Sequence, residues 1–136
     1  SATRIPLLGV IGRNNYENNL TVLHQPKSSI AEAFRGIRSN LRFLYNEDGT
    51  SKVILVTSSV GAEGKTFTSI NIASVLALSG KKTILLGMDL RKPKIFGDFK
   101  INNKYLLYTP GTVLDDLHIV CRTVTETLHI RIILIL

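Results

Sequence analysis

Lys65 and Thr66 carry the clearest chemical potential in the chain. They follow a glycine-containing loop, Ser59-Val60-Gly61-Ala62-Glu63-Gly64, at the spacing of a phosphate-binding turn. Backbone N–H groups of such a loop wrap a polyphosphate, and a helix opening at Lys65 adds the favourable end of its dipole. The Lys65 ammonium would reach the β- and γ-phosphates of ATP, and the Thr66 hydroxyl would ligate Mg²⁺. Ser59 stands where the pattern G-x-x-x-x-G-K-[ST] usually opens with glycine, so the loop matches a relaxed form.

Such a loop works only when a strand delivers the chain to it and a helix carries the chain away. The run from Val53 reads as a short buried strand. Thr66 to Ser79 has helical period, with Phe67, Ile70, Ala73 and Ala77 on one stripe, Val75 and Leu76 beside it, and Gly80 as the stop. Lys82 to Asp89 is a second apolar run, as expected of a strand buried on both faces. Strand, loop, helix and strand make a βαβ unit, a right-handed crossover in almost every known case. The expected fold class is therefore α/β, a P-loop NTPase-like parallel sheet flanked by helices, incomplete toward the C-terminus.

In a parallel sheet the C-terminal ends of the strands line the ligand crevice. That places Asp89 and Arg91 near the bound phosphates. Asp89 would hold Mg²⁺, directly or through water, or else cap a turn. Arg91 would meet phosphate, a partner or solvent.

Upstream, Ser29 to about Tyr45 reads as a helix. Ser29 and Glu32 fit an S-x-x-E capping box, and Ile30, Ala33, Phe34, Ile37, Leu41 and Leu44 form its apolar stripe. Glu32, Arg35 and Arg38 lie in a row off that stripe, either as a solvated face or as a functional surface. Asn46 to Thr50 is a turn. Residues 1–27, with Pro6, Gly9, Gly12 and an asparagine-rich stretch, read as an extended lead-in. Beyond Pro93 the signal weakens: a short helix at Val113 to Leu117 and a strand at Ile130 to Leu136 are expected. The resulting division is a lead-in over 1–27, a core over 28–104 and a tail over 105–136.

Composition narrows the class. The 136 residues suffice for one domain, and 44% apolar with 20% charged residues is ordinary for a soluble globular chain. The net charge of +7 comes from cations spread along the chain, without aromatic-basic interleaving or a recognition helix, so no nucleic-acid partner is expected. A polyphosphate or a membrane surface fits that charge. One cysteine, Cys121, excludes a disulfide framework and a cysteine zinc site, and His24, His118 and His129 are isolated. No apolar run reaches the roughly 18 residues of a membrane span, and no signal peptide is visible.

Taken together these segments resemble the cytoplasmic kinase domain of bacterial tyrosine kinases, the family coupled to capsular and exopolysaccharide chain-length regulators. Thr57-Ser58 and Glu63-Gly64-Lys65-Thr66 resemble the family's Walker A loop, with Gly61-Ala62 where Pro-Gly usually precedes the glutamate. Ile84-Leu85-Leu86 with Asp89-Leu90-Arg91-Lys92-Pro93 resembles its Walker A′ segment. Glu32-Ala-Phe-Arg35-Gly-Ile-Arg38 matches the family's E-x-x-R-x-x-R oligomerisation motif. Ile5 to Gly12 is similar to the segment that follows the last transmembrane helix of such proteins. The resemblance covers Ile5 to Lys104.

It implies Mg²⁺- and ATP-dependent autophosphorylation on a C-terminal tyrosine cluster, usually between subunits of a homo-oligomeric ring. Partners would be the membrane-embedded part of the same parent protein or a membrane activator, and the polysaccharide assembly machinery, at the cytoplasmic side of the bacterial inner membrane. Ser59 to Thr66 with Arg91 would bind nucleotide, Thr66 and Asp89 the metal, and Glu32, Arg35 and Arg38 a neighbouring subunit. Lys65 and Asp89 would be the catalytic pair.

Three departures stand out. The family's first Walker A′ acid falls on Gly87, which has no side chain to accept a proton. The Walker B segment, an apolar strand ending in aspartate, is missing after Pro93, and Val113-Leu114-Asp115 is too short to replace it. Residues Tyr105 to Leu136 carry no motif-level resemblance to the family, and no terminal tyrosine cluster is present. Two alternatives follow: a nucleotide-responsive oligomerisation module that transfers no phosphate, and a partitioning-type P-loop ATPase. The second would need a signature lysine near Val60, where none stands.

Overall fold

Ser28, one residue earlier than the sequence suggests, opens the long upstream helix. Its side chain accepts a hydrogen bond from the Ala31 N–H at 3.1 Å. The position three residues after the cap is thus Ala31, and the expected Ser29–Glu32 capping box does not form. Glu32 instead sits in the first turn, where its negative charge complements the positive end of the helix dipole, and pairs with Arg35 at 3.3 Å.

The computed structural model describes residues 4–45, 48–61, 63–87, 107–108, 117–121 and 132–135, the last three segments as backbone. Three helices, α1 (Thr21–His24), α2 (Ser29–Arg42) and α3 (Lys65–Leu78), accompany five strands: β1 (Lys52–Leu55), β2 (Thr83–Gly87), β3 (Leu107–Tyr108), β4 (Leu117–Cys121) and β5 (Ile132–Ile135). The strands run in the order β1-β5-β2-β4-β3. The β1/β5, β2/β5 and β2/β4 pairs are parallel, and β3 pairs antiparallel with β4. The expected strand at Ile130 to Leu136 is β5, lying between β1 and β2. The unit β1-α3-β2 therefore steps over one strand. Leu117 opens a strand rather than ending a helix, and residues 113–116 lie outside the described residues.

Helix α2 is amphipathic as its spacing predicts. Ile30, Phe34, Ile37 and Leu41 are buried, together with Ala31. It ends at Arg42 rather than near Tyr45, because the Phe43 and Leu44 N–H groups bond back to the Asn40 and Leu41 carbonyls. Leu44, expected on the stripe, is past the end and 55% exposed.

Helix α3 differs from its expected stripe: every residue from Ser69 to Ala77 is buried. It touches α1 and α2 on one side and β2, β4 and β5 on the other, so no face is left for water. Phe34 of α2 meets Phe67 of α3 edge to face, with ring centroids 5.8 Å apart. The helix ends as expected at Gly80, whose φ of 79° is left-handed. The Gly80 and Lys81 N–H groups bond to the Ala77 and Leu76 carbonyls at 2.9 and 3.2 Å, a Schellman closure.

Strand β1 was expected to be buried, and only one of its faces is. Ile54 packs toward the core, while Val53 and Leu55 are 62% and 67% exposed. The period of two assigns them to the opposite face, and among the described residues β1 has a strand partner on one side only. In the turn before it, the Asp48 carboxylate accepts from the Thr50 hydroxyl, the Lys52 ammonium and the Thr50 N–H, which holds its pKa below the usual carboxylate range.

The lead-in runs without helix or strand from residue 4 to 20. It is anchored where the Leu8 carbonyl accepts from the Asn40 amide at 2.7 Å and where Gly9 presses on Ile37. The sequence did not signal α1, a single turn whose Thr21 and Val22 are buried against α3.

Candidate phosphate-binding site

The chain leaves β1 at Leu55 and enters α3 at Lys65, so residues 56–64 form the loop between them. Gly64 caps α3 with φ 86° and ψ 17°, a left-handed conformation that a residue with a Cβ adopts only at a cost. No side chain caps this N-terminus, and its first turn carries no acid. The first N–H groups of a 14-residue helix are thus presented at the loop with the positive end of the dipole behind them. That arrangement accepts an anion.

A chain of hydrogen bonds closes the loop on itself. The Lys65 ammonium donates to the Ser58 hydroxyl at 2.8 Å, and that hydroxyl donates to the Val60 carbonyl at 2.7 Å. The Val60 N–H donates to a Glu63 carboxylate oxygen at 3.2 Å. Lys65 and Thr66 are half-buried, while Ser59, Val60, Gly61, Glu63 and Gly64 are exposed. The structure thus brings together Ser59, Val60, Gly61, Glu63, Gly64, Lys65 and Thr66 in one loop and helix start. Ala62, Asp89 and Arg91 lie outside the described residues. Gly87 is the last residue of β2 and pairs with Cys121 of β4.

Two features of the site escaped the sequence reading. Ser58 carries no sequence signal beyond the motif around it, yet its hydroxyl is the Lys65 partner. Asn71, two turns into α3, is fully buried and fully used. Its oxygen accepts from the Val22 N–H at 2.9 Å, and its amide donates to the Asn19 and Phe67 carbonyls at 2.7 and 2.8 Å. It ties the end of the lead-in and α1 to the helix that carries Lys65. The available signal was an amide at an apolar position of a helix, since a buried amide needs partners.

Glu32, Arg35 and Arg38 are engaged within the chain. Arg35 holds Glu32 and the Pro26 carbonyl, and Arg38 donates to the Val75 carbonyl of α3 at 3.3 Å. Among the described residues no group of three or more His, Cys, Asp or Glu side chains is placed to hold a metal ion. No described helix is long and apolar enough to cross a membrane.

This geometry can be set beside known proteins. No protein-family model matches the chain. A tyrosine-protein kinase of Bacillus subtilis (strain 168), YwqD, is 38% identical over 87 residues, which is 64% of this chain and 36% of that protein. The putative tyrosine-protein kinase CapB of Staphylococcus aureus is 47% identical over 74 residues, 54% of this chain and 32% of CapB. The chain is related to the bacterial tyrosine kinases. The succinoglycan biosynthesis transport protein ExoP of Rhizobium meliloti (strain 1021) is 38% identical over 72 residues, 53% of this chain and 9% of ExoP. Among solved structures, the crystal structure of the chimerical protein CapA2B2 superposes with a TM-score of 0.72 at 32% identity, over 85% of this chain and 54% of that one. The described residues thus form part of an α/β fold similar to that of CapA2B2. The chain spans about a third of the length of its two kinase relatives, at 36% and 32%.

Proposed function

We propose that the chain is the nucleotide-binding part of a tyrosine autokinase that regulates exopolysaccharide or capsule chain length and export. The observation that carries this is the uncapped start of α3, closed by left-handed Gly64 and presenting Lys65, in a chain related to tyrosine kinases. The complete domain would have the parallel P-loop sheet covered on both faces. Residues 1–27 would be the juxtamembrane lead-in, 28–104 the nucleotide-binding core and 105–136 the tail. Assembly would be a homo-oligomeric ring at the cytoplasmic face of the inner membrane, beside a membrane-embedded partner and the polysaccharide machinery. Glu32, Arg35 and Arg38 would contribute to its interfaces.

In this reading the N–H groups of loop residues 59–64 and of the first turn of α3 hold the ATP phosphates, with Arg91 as a further cation. Lys65 leaves Ser58 and moves onto the β- and γ-phosphates, where it offsets the charge that builds up as the γ-phosphoryl passes to a tyrosine hydroxyl. Thr66 and Asp89 would hold Mg²⁺, which supplies further charge neutralisation at the phosphates. Gly87 offers no base, so the phenol proton leaves to another acceptor.

Gly87 also favours a second reading, a module that binds nucleotide and oligomerises without phosphotransfer. Tyrosine phosphorylation after incubation with Mg²⁺-ATP, read by mass spectrometry, separates the two. The primary test is calorimetry with Mg²⁺-ATP and Mg²⁺-ADP. Wild type should bind, and Lys65→Met should lose about a hundredfold in affinity, since a half-buried charge-assisted contact to phosphate and its field are removed. Equal binding by both proteins, or none by wild type, would defeat the proposal.

A further inference from the structure

The loop that should receive phosphate already holds a carboxylate of its own. Glu63 reaches back over three residues and takes the Val60 N–H at 3.2 Å. Ser58 holds the other backbone group of the same residue, accepting from the Lys65 ammonium and donating to the Val60 carbonyl. Both backbone groups of Val60 are therefore clasped, the N–H by an anion and the C=O by the hydroxyl that carries the loop's cation. A triphosphate entering this loop needs Lys65 released from Ser58. It also meets the Glu63 charge at the loop mouth, where like charge opposes it.

Resting on the nucleotide reading above, we propose that Glu63 is an affinity-setting residue of this site: a built-in competing anion whose clasp on Val60 opens when a phosphate chain binds. The occupant it competes with is the polyphosphate of a nucleotide, and the competition has two separable parts. The charge repels phosphate and is screened by salt. The clasp holds the loop closed, and losing it shifts the loop toward the open state whatever the salt. Glu63→Gln removes the charge and leaves an oxygen acceptor for Val60. Glu63→Ala removes both.

The test measures Mg²⁺-ADP affinity and association rate for wild type, Glu63→Gln and Glu63→Ala, at low and high salt. The Val60 amide resonance is compared among the three proteins in the absence of nucleotide. Both variants should bind about three- to tenfold tighter at low salt, as expected for loss of one exposed charge-assisted contact. At high salt the gain of Glu63→Gln should shrink and that of Glu63→Ala should persist, with the association rate carrying the change. In nucleotide-free protein the Val60 amide resonance should move in Glu63→Ala and stay near its wild-type position in Glu63→Gln. Unchanged or weaker binding by both variants, beside a binding wild type, overturns this role while leaving the nucleotide reading intact. A Val60 amide resonance that is the same in wild type and Glu63→Ala overturns the clasp. No nucleotide binding by any of the three overturns the nucleotide reading and this inference with it.

Discussion

The two long helices have the same length, 14 residues each, and opposite designs. Helix α2 buries one stripe, shows water its other face, and has its N-terminus sealed by Ser28 with Glu32 in the first turn. Helix α3 is buried on every side along its middle and has its N-terminus left open. In α2 the helix end is a stability device. In α3 stability comes from burial, and the end is left without a side-chain cap. In the nucleotide reading proposed above, that difference in capping marks the helix that carries the chemistry.

The contrast in burial can be broken most sharply with a matched pair of serines. Ser39 of α2 and Ser74 of α3 each bond the carbonyl four residues back, at 3.1 and 2.8 Å, but Ser39 is exposed and Ser74 fully buried. Ser74→Leu should overpack the interior and cost about 3 kcal/mol. Ser39→Leu should change stability by less than about 0.5 kcal/mol. Urea unfolding of both variants measures the difference. Similar costs at the two sites would mean that α3 has a face open to water after all.

A second variant probes what holds α1 and the lead-in to α3. Asn71→Ala deletes an amide with three partners and strands the Val22 N–H in a buried position. The expected loss is about 2 kcal/mol, mostly the penalty of the orphaned donor. It should come with faster proteolysis of the segment before residue 25. Stability lost without added cleavage would show that Asn71 serves α3 alone.

Much of this architecture is legible in the sequence because it rests on local rules. The stripe of α2, the left-handed stop at Gly80 and the helix start at Lys65 each follow from a few neighbouring residues. The misreadings share a different cause. The Ser29 cap failed because Ser28 is also a serine, and local pattern cannot choose between adjacent hydroxyls. Helix α3 looked striped because its serines and asparagine read as polar, whereas Ser74 bonds its own helix and Asn71 bonds the lead-in. The half-exposed face of β1 depends on where β5 lies in the sheet, a contact from the other end of the chain. At the site, the loop and its lysine were readable from spacing. The partners Ser58 and Glu63 take within the loop depend on the path the backbone follows there.

The smallest effect tests the capping contrast itself. Ser28→Ala removes the one side-chain cap of α2 and should cost about 1 kcal/mol. Inorganic phosphate added to wild type should raise Tm by binding the open end of α3, in proportion to the logarithm of its concentration once saturating. If α3 alone has an end that takes anions, Ser28→Ala should start from a lower Tm and gain the same increment from phosphate. A larger increment in Ser28→Ala would mean that uncapping is sufficient to make an anion site of α2 as well. The distinction between the helices would then lie in Ser28 rather than in the loop that precedes Lys65. Equal increments, lost together when Lys65→Met is introduced, would assign the binding to the loop.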